Sequence, residues 1–227
     1  LSSTIILLAI LSIFIISAYA EWTEPVRITH VLVAMEPRAV IVGDTIHVVA
    51  RAGLKIIYMR SNNNGETWTE PVCPVDSFYR SYMPDITYSD SSLHIVFRGR
   101  VETGGDAHLF HILSNDGGRS ISEMHQISTI PGAFKSPRII ANMDSLYVVH
   151  LAGGSALVLH RSFDRGQSWE ETIYIEDVGL GDFPQPESFL YSQGILHVFY
   201  PMDVSSIPGA FEIYHTRSED KGISWSI

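Results

Sequence analysis

The sequence of 227 residues contains a single cysteine, Cys73, so no disulfide can form within the chain. Basic residues are also scarce: 15 Lys and Arg stand against 25 Asp and Glu, and the formal net charge is −10 at pH 7. Because a nucleic acid requires a basic surface, this balance argues against a nucleic-acid partner. Stability must come from apolar burial and strand pairing, and Cys73 is interpreted as a small buried hydrophobe rather than a reactive thiol.

After residue 20, the sequence lacks an apolar run of the roughly 20 residues that a membrane span needs. Before it, an apolar run over 5–16 leads to Ala18-Tyr19-Ala20, the small-x-small pattern that precedes signal-peptidase cleavage. We interpret 1–20 as a signal peptide, with a membrane anchor as the alternative. The mature chain is then expected to begin at Glu21 and to be secreted, periplasmic or on the cell surface. Since no basic segment precedes the run and the first residue is Leu1, we expect the true start to lie upstream.

A sustained 3.6-residue apolar period with helix caps is absent as well, which favours an all-β chain. Four Pro-led strands are predicted, at 37–41, 84–88, 137–140 and 186–190. Each is followed by a β-branched and aromatic run that is typical of a strand buried on both faces. These runs are 45–49, 93–97, 146–150 and 196–200.

The feature that is present and most informative is one turn written four times, about every 50 residues. It reads SNNNGETW from Ser61, SNDGGRSI from Ser114, SFDRGQSW from Ser162 and SEDKGISW from Ser218. A short Asn or Asp side chain accepts hydrogen bonds from loop N–H groups, and glycine adopts positive φ without a steric cost. We therefore predict a structural role for Ser61, Asn63, Gly65, Trp68, Ser114, Asp116, Gly118, Ser162, Asp164, Gly166, Trp169, Ser218, Asp220, Gly222 and Trp225.

This turn resembles the Asp box, also called the BNR repeat, of the β-propellers of the sialidase superfamily. The resemblance implies a sialidase-type propeller of four-stranded antiparallel blades, with the boxes as structural corners away from the active site. It implies one domain over 21–227, with an orphan outer strand at 21–30 and repeats at about 31–76, 77–130, 131–178 and 179–227. Because a sialidase-type ring has six blades, we expect about four blades here, as a fragment of such a ring.

In a propeller the first strand of each blade lies nearest the axis, so its first residues line one mouth of the channel. The Pro-led strands place a charged residue there, namely Arg38, Asp85, Arg138 and Glu187. Arginine binds carboxylates and acids accept hydrogen bonds from hydroxyls, so the ring fits an anionic ligand or a glycan. The alternative is a set of ion pairs between blades. Further residues are expected at the rim: Arg51, Arg98, Arg100, His150 and Tyr200.

The resemblance to sialidases also implies catalytic candidates, since these enzymes use arginines for a substrate carboxylate, a Tyr paired with a Glu, and an Asp acid. Arg38 and Arg51 resemble two of the arginines, and Glu187 resembles the glutamate. The segment 50–55, where the acid is expected, contains no carboxylate. We therefore predict a glycan-recognising propeller, with an exo-sialidase and an architectural module as alternatives.

No metal or cofactor site is predicted from the sequence. His47, His94 and His197 hold equivalent strand positions and are interpreted as half-buried strand residues rather than ligands. The Gly-rich pieces at 103–106 and 153–154 lack the strand-to-helix context of a phosphate-binding loop.

Overall fold

The computed structural model describes residues 24–31, 33–121, 123–128, 135–153, 156–177, 188–203 and 210–226. The predicted signal peptide and Glu187 lie outside these ranges. Among the described residues, β-strands are the only regular secondary structure, in agreement with the all-β prediction. The strands are β1 (Ala34–Val42), β2 (Thr45–Ala52), β3 (Lys55–Ser61), β4 (Arg80–Ser89), β5 (Ser92–Arg100), β6 (His108–Ser114), β7 (Glu123–Gln126), β8 (Lys135–Asn142), β9 (Ser145–Ala152), β10 (Ala156–Ser162), β11 (Ile173–Asp177), β12 (Ser188–Ser192), β13 (Ile195–Asp203) and β14 (Phe211–Ser218).

The strands form four antiparallel sheets, each built from strands consecutive in sequence. Blade 1 contains β1-β2-β3, blade 2 contains β4-β5-β6-β7, blade 3 contains β8-β9-β10-β11 and blade 4 contains β12-β13-β14. Single bridges, Tyr58 with Val72 and Arg217 with Ser226, add a fourth segment to blades 1 and 4. Each predicted repeat therefore corresponds to one sheet.

The first strands of successive blades lie side by side, since β1 contacts β4, β4 contacts β8, and β8 contacts β12. Apolar clusters fill the spaces between blades. On β5, Phe97 packs toward blade 1 and Val96 toward blade 3. The second strands of blades 1, 2 and 3 are thus buried on both faces, as their continuous apolar runs predict, whereas in blade 4 burial alternates along β13.

The four repeated turns, called corners below (61–68, 114–121, 162–169 and 218–225), share one set of hydrogen bonds. In the third, the Ser162 hydroxyl accepts from the Gly166 N–H at 2.8 Å and donates to Asp164 Oδ1 at 2.7 Å. Asp164 Oδ1 also accepts from the Ser168 N–H at 2.9 Å. The same bonds recur in the other three corners. In each corner, backbone N–H groups therefore donate to side chains of the same corner.

The corners of blades 2, 3 and 4 also pack against the blade before them. A methyl group built on Gly166 would overlap the ring of His111 in blade 2, and one on Gly118 would overlap the Tyr58 ring in blade 1. Gly222 is related in the same way to Leu159 in blade 3. Glycine is required here for the close approach of two blades as well as for its positive φ, which is 89° at Gly166.

Stacked histidine pairs cross the middle of two blades. His94 lies 3.0 Å from His111, and His150 lies 2.9 Å from His160, measured between ring nitrogens. All four side chains are buried. Burial lowers the pKa of His94 and His160 to about 4 and that of His150 to about 3. The interpretation of His47 and His94 as half-buried is wrong. Tyr88 of blade 2 stacks on His47, and the corner of blade 3 covers the face of blade 2 that carries His94.

Three details differ from the sequence prediction. Residues 24–30 form no strand, and Ile28 packs against the apolar cluster of blade 1 rather than against blade 4. Cys73 is partly exposed instead of buried. In blades 1, 2 and 3 the Pro-led strands begin before their prolines, at Ala34, Arg80 and Lys135. Among the described residues, no helix long and apolar enough for a bilayer was found.

Candidate functional site

The first strands of blades 1 to 3 share a β-bulge close to their start. The residue that precedes proline has a positive φ in each case: 58° at Glu36, 54° at Met83 and 44° at Ser136. Non-glycine residues seldom adopt this conformation, and such backbone is concentrated at ligand sites. The strand register shifts within three equivalent stretches, 35–38, 82–85 and 135–138.

The three bulges surround a cavity of about 340 Å³ between the first strands of blades 1, 2 and 3. This volume is within the range of small-molecule sites. The bulges turn side chains from three blades toward the same space, which a regular strand would not do. The lining residues are Glu36, Arg38, Met83, Pro84, Ser136 and Arg138.

Asp85 connects the three blades beside this cavity. Its side chain is buried, and Oδ2 accepts a hydrogen bond from the Ile139 N–H of blade 3 at 2.9 Å. Its Oδ1 lies 3.8 Å from Arg38 Nε of blade 1. Burial raises the pKa of Asp85, while the Ile139 N–H and the Arg138 charge oppose this rise. Asp85 thus matches the predicted ion pairing between blades.

Glu36 makes a second connection, from blade 1 to blade 2. Its Oε2 accepts a hydrogen bond from the Met83 N–H at 2.9 Å, and its Oε1 lies 3.4 Å from Arg51 Nε. Arg51 also contacts the Met35 sulfur. A carboxylate therefore lies beside Arg51 although the segment 50–55 contains none. It comes from the inner strand of the same blade.

Arg38 and Arg138 have matching local geometry in blades 1 and 3. Each donates a guanidinium hydrogen bond to the carbonyl of its own preceding proline, at 3.1 Å for Pro37 and 3.3 Å for Pro137. Both side chains line the cavity, and that of Arg38 is 38% exposed. Two guanidinium groups therefore face a space that also contains the Glu36 carboxylate.

The structure brings Arg38, Asp85 and Arg138 together and places Arg51 next to them through Glu36. Glu187 lies outside the described residues. The expectation that His150 and Tyr200 lie at the rim is wrong, because only 0% and 2% of these residues is exposed. Their apolar neighbours on both sides of the sheet enclose them.

Three cavity residues were missed by sequence reasoning, Glu36, Met83 and Ser136. Each directly precedes a proline, and proline restricts the backbone of the residue before it. Three successive repeats of the tripeptide X-Pro-charged, at 36–38, 83–85 and 136–138, are the signal that could have found them. Among the described residues, no group of three or more His, Cys, Asp or Glu could hold a metal ion.

No protein-family model matches the sequence, and no curated protein matches it. Solved structures do. The xyloglucan PUL protein GH43B of Bacteroides ovatus has a TM-score of 0.60 at 12% identity over 85% of this chain and 40% of its own. A xylan β-1,4-xylosidase from Bacillus halodurans gives 0.59 at 13% identity over 85% and 41%. An α-L-arabinofuranosidase from Podospora anserina, solved with cellotriose, gives 0.59 at 11% identity over 85% and 66%.

These neighbours are five-bladed β-propeller glycoside hydrolases, and at such identities the likeness shows the fold. The chain spans about 40% of the length of the first two of them. The predicted propeller of antiparallel blades is confirmed. The sialidase-type ring of six blades is not confirmed by these neighbours.

Proposed function

We propose that this propeller binds a glycan in the axial cavity formed by the three strand bulges. The single observation that carries the proposal is the convergence of Arg38, Arg138 and Glu36, from two blades, on one cavity of about 340 Å³. Guanidinium groups donate and carboxylates accept hydrogen bonds, and a sugar hydroxyl does both. The fold supports the proposal, because the similar structures are glycoside hydrolases.

The names of the similar proteins suggest the first ligands to test. They include xyloglucan, xylan and arabinofuranose, and one of these proteins was solved with cellotriose. The resemblance of the corners to Asp boxes adds sialosides. A panel of xylo-, arabino-, cello- and sialyl-oligosaccharides therefore covers the ligands suggested by the similar structures and by the Asp-box resemblance.

The test is calorimetric titration of the protein with this panel, in parallel for wild type, Arg38→Gln, Arg138→Gln and Arg217→Gln. Arg217 is the matched control, since it is an exposed arginine of blade 4 that pairs with Glu219 at 3.0 Å. We expect an oligosaccharide that binds wild type and Arg217→Gln but loses at least about tenfold affinity in both cavity variants. Equal affinity in all four proteins would contradict the proposal.

A second candidate function is glycoside hydrolysis, which a specific observation favours. Most glycosidases use two carboxyl groups, one kept protonated as the acid. Burial raises the pKa of Asp85, and a second carboxyl group, that of Glu36, lines the neighbouring cavity beside Arg51. Turnover of aryl glycosides that is lost in both Asp85→Asn and Glu36→Gln would support this function.

The exo-sialidase is the more specific form of this candidate, with Arg38, Arg51 and Glu187 as its catalytic residues. Its test is a fluorogenic sialoside, on which Arg38→Ala and Arg51→Ala are expected to abolish turnover. The architectural alternative needs no ligand at all. It stands if the whole panel leaves wild type without a measurable heat of binding.

Export of the protein through the segment 1–20 is a further part of the proposal. Sequencing the N-terminus of the protein recovered after expression in its natural host tests it. We expect the mature chain to begin at Glu21, and recovery of a chain that retains 5–16 would favour the anchor.

A further inference from the structure

Arg98 and Arg100 end the second strand of blade 2 on one face of the sheet. Successive residues of a strand alternate between faces, so the two arginines project to the same side and Gly99 to the other. A methyl group on Gly99 would lie only 2.7 Å from the Phe78 ring, which packs against this strand end. The close contact of Phe78 fixes the backbone that carries both arginines.

Among the described residues, no carboxylate forms an ion pair with Arg98 or Arg100. Arg80, which lies opposite Arg100 on β4, likewise makes no ion pair within the described part of the chain. The Nε atoms of Arg98 and Arg100 are out of contact with solvent, and each lacks a hydrogen-bond partner in the structure. Burial and the neighbouring Arg100 charge lower the pKa of Arg98.

The Tyr82 ring compensates for only part of this burial. The Arg98 guanidinium lies 4.9 Å from the centre of that ring, in cation–π geometry. An aromatic face attracts the cation but accepts no N–H hydrogen bond along the edge of the guanidinium. The donors of Arg98 and Arg100 are thus preserved for an anion.

In blade 1, the arginine equivalent to Arg98 has a carboxylate partner. Arg51 occupies the place of Arg98, four residues after the equivalent histidine of its strand, and Glu36 neutralises it at 3.4 Å. The equivalent of Glu36 in blade 2 is Met83, which has nearly the same φ, 54° against 58°. Blade 2 therefore keeps the arginine and the bulge but replaces the carboxylate by a thioether.

We propose that Arg98 and Arg100 bind an anionic substituent, a carboxylate or a sulfate ester, on the glycan held in the axial cavity. The inference rests on the proposed glycan binding. Met83 connects the two sites, since it lines the cavity and stands where the carboxylate facing Arg98 would be. Paired guanidinium groups hold carboxylates and sulfates in bidentate geometry, and two half-buried arginines discriminate such groups from neutral hydroxyls. The ligand class is therefore an acidic glycan, with a uronic acid or a sulfated sugar next to the residue bound by Arg38 and Arg138.

The experiment compares Met83→Glu with Met83→Gln. Glutamate at 83 reproduces the Glu36–Arg51 pair in blade 2 and occupies the anion position from within, whereas glutamine has the same size and no charge. Arg98→Gln removes the site directly, and Arg217→Gln is the control arginine. Each protein is titrated by calorimetry with a neutral xylo-oligosaccharide, its counterpart carrying one glucuronic acid, a sulfated counterpart, free glucuronate and inorganic sulfate.

We expect wild type and Arg217→Gln to bind an acidic oligosaccharide about tenfold more tightly than the neutral one. Met83→Gln changes a residue of the cavity lining, so it is compared by this ratio alone, and the ratio should fall less than in Met83→Glu. In Met83→Glu and Arg98→Gln this preference should fall below about twofold. The stronger of the glucuronate and sulfate arms identifies the anionic group.

Two other outcomes separate this proposal from the function on which it rests. If neutral and acidic oligosaccharides bind equally and neither free anion binds, the anion site is overturned while glycan binding stands. If glucuronate or sulfate binds wild type but not Arg98→Gln, and no oligosaccharide binds any protein, the anion site stands and the proposed glycan function is contradicted.

Discussion

The two ends of the blades differ in what the repeat keeps constant. At the corner end, all four repeats have the same serine, glycine and Asn or Asp, and they make the same hydrogen bonds. At the axial end, three repeats have the same backbone bulge, but its side chain changes from Glu36 to Met83 to Ser136. The side chains that stay the same in every repeat hydrogen-bond the corner backbone. The side chains that change between repeats surround a cavity.

This difference fits a structural role for the corners and the proposed ligand binding at the axial end. A corner variant that weakens binding without unfolding the protein would contradict this division. So would an axial variant that unfolds it. The four predictions below run from the largest expected effect to the smallest.

Gly166→Ala should be the most damaging single change. The new methyl group would meet the His111 ring, and the residue would be held at a φ of 89°. Strain at positive φ and overpacking together should lower the free energy of unfolding by about 4 kcal/mol. Urea denaturation followed by tryptophan fluorescence measures it.

Gly65→Ala is the matched control for this change. Gly65 has nearly the same φ, 91°, but its added methyl group would have only an ordinary contact of 3.5 Å with Ile46. We expect a loss of about 1 to 2 kcal/mol, from backbone strain alone. Equal losses at 65 and 166 would show that corners do not lock neighbouring blades.

Acid should destabilise the protein through its buried histidines. The unfolded chain protonates histidine below about pH 6.5, whereas the folded pKa is about 3 for His150 and about 4 for His160. The unfolded state therefore binds more protons between these values, and stability falls as the pH decreases from 6.5 toward 4. At pH 5.5 the pair should cost about 3 kcal/mol relative to pH 7.5.

The double variant His150→Leu/His160→Leu should lose about 3 kcal/mol less than wild type over this pH interval. The control is His197→Leu/His215→Leu, in which the removed pair is stacked in the same way but is not buried, with His215 exposed. It separates the effect of burial from that of removing a stacked histidine pair. An unchanged dependence in the first variant would assign acid sensitivity to other groups.

The corners were predictable from sequence because their chemistry is local. Ser162, Asp164 and Gly166 occupy alternate positions of one short turn, so the sequence alone implies the hydrogen bonds between them. Arg38, Asp85 and Arg138 were predictable as a group, since each follows the proline of a strand nearest the axis.

Other features depend on strands far apart in sequence and could not be read locally. The positive φ of Glu36 results from the bulge between β1 and β2, and its partner Arg51 lies on the second strand. His150 was expected at the rim and is buried, because its partner His160 belongs to the next strand. The role of Glu187 stays a prediction.

Ser162→Ala tests the corner without any steric change. The Ser162 hydroxyl is buried and bonds both the Gly166 N–H and Asp164. Its loss leaves a buried N–H without a partner, so we expect a decrease of about 1 to 2 kcal/mol in the free energy of unfolding. Ser168→Ala removes a hydrogen bond to Asp164 Oδ2 at 2.5 Å, but from an exposed hydroxyl whose loss water can compensate, so it should cost less, about 0.5 to 1 kcal/mol. Sugar binding should be unchanged in both, and a loss of binding in Ser162→Ala would break the division between the two ends.

Arg38→Gln should have the smallest effect on stability and a large one on binding. Its Nε lies 3.8 Å from Asp85, and the side chain is 38% exposed, so solvent screens the pair and its loss should cost no more than about 1 kcal/mol. Asp85 keeps its hydrogen bond from the Ile139 N–H in this variant, so its buried carboxyl retains a partner. Urea denaturation and calorimetric titration of the same sample measure both quantities. If Arg38→Gln instead unfolds the protein as readily as Gly166→Ala, the charges at the axis hold the blades together, and the comparison between the two ends fails.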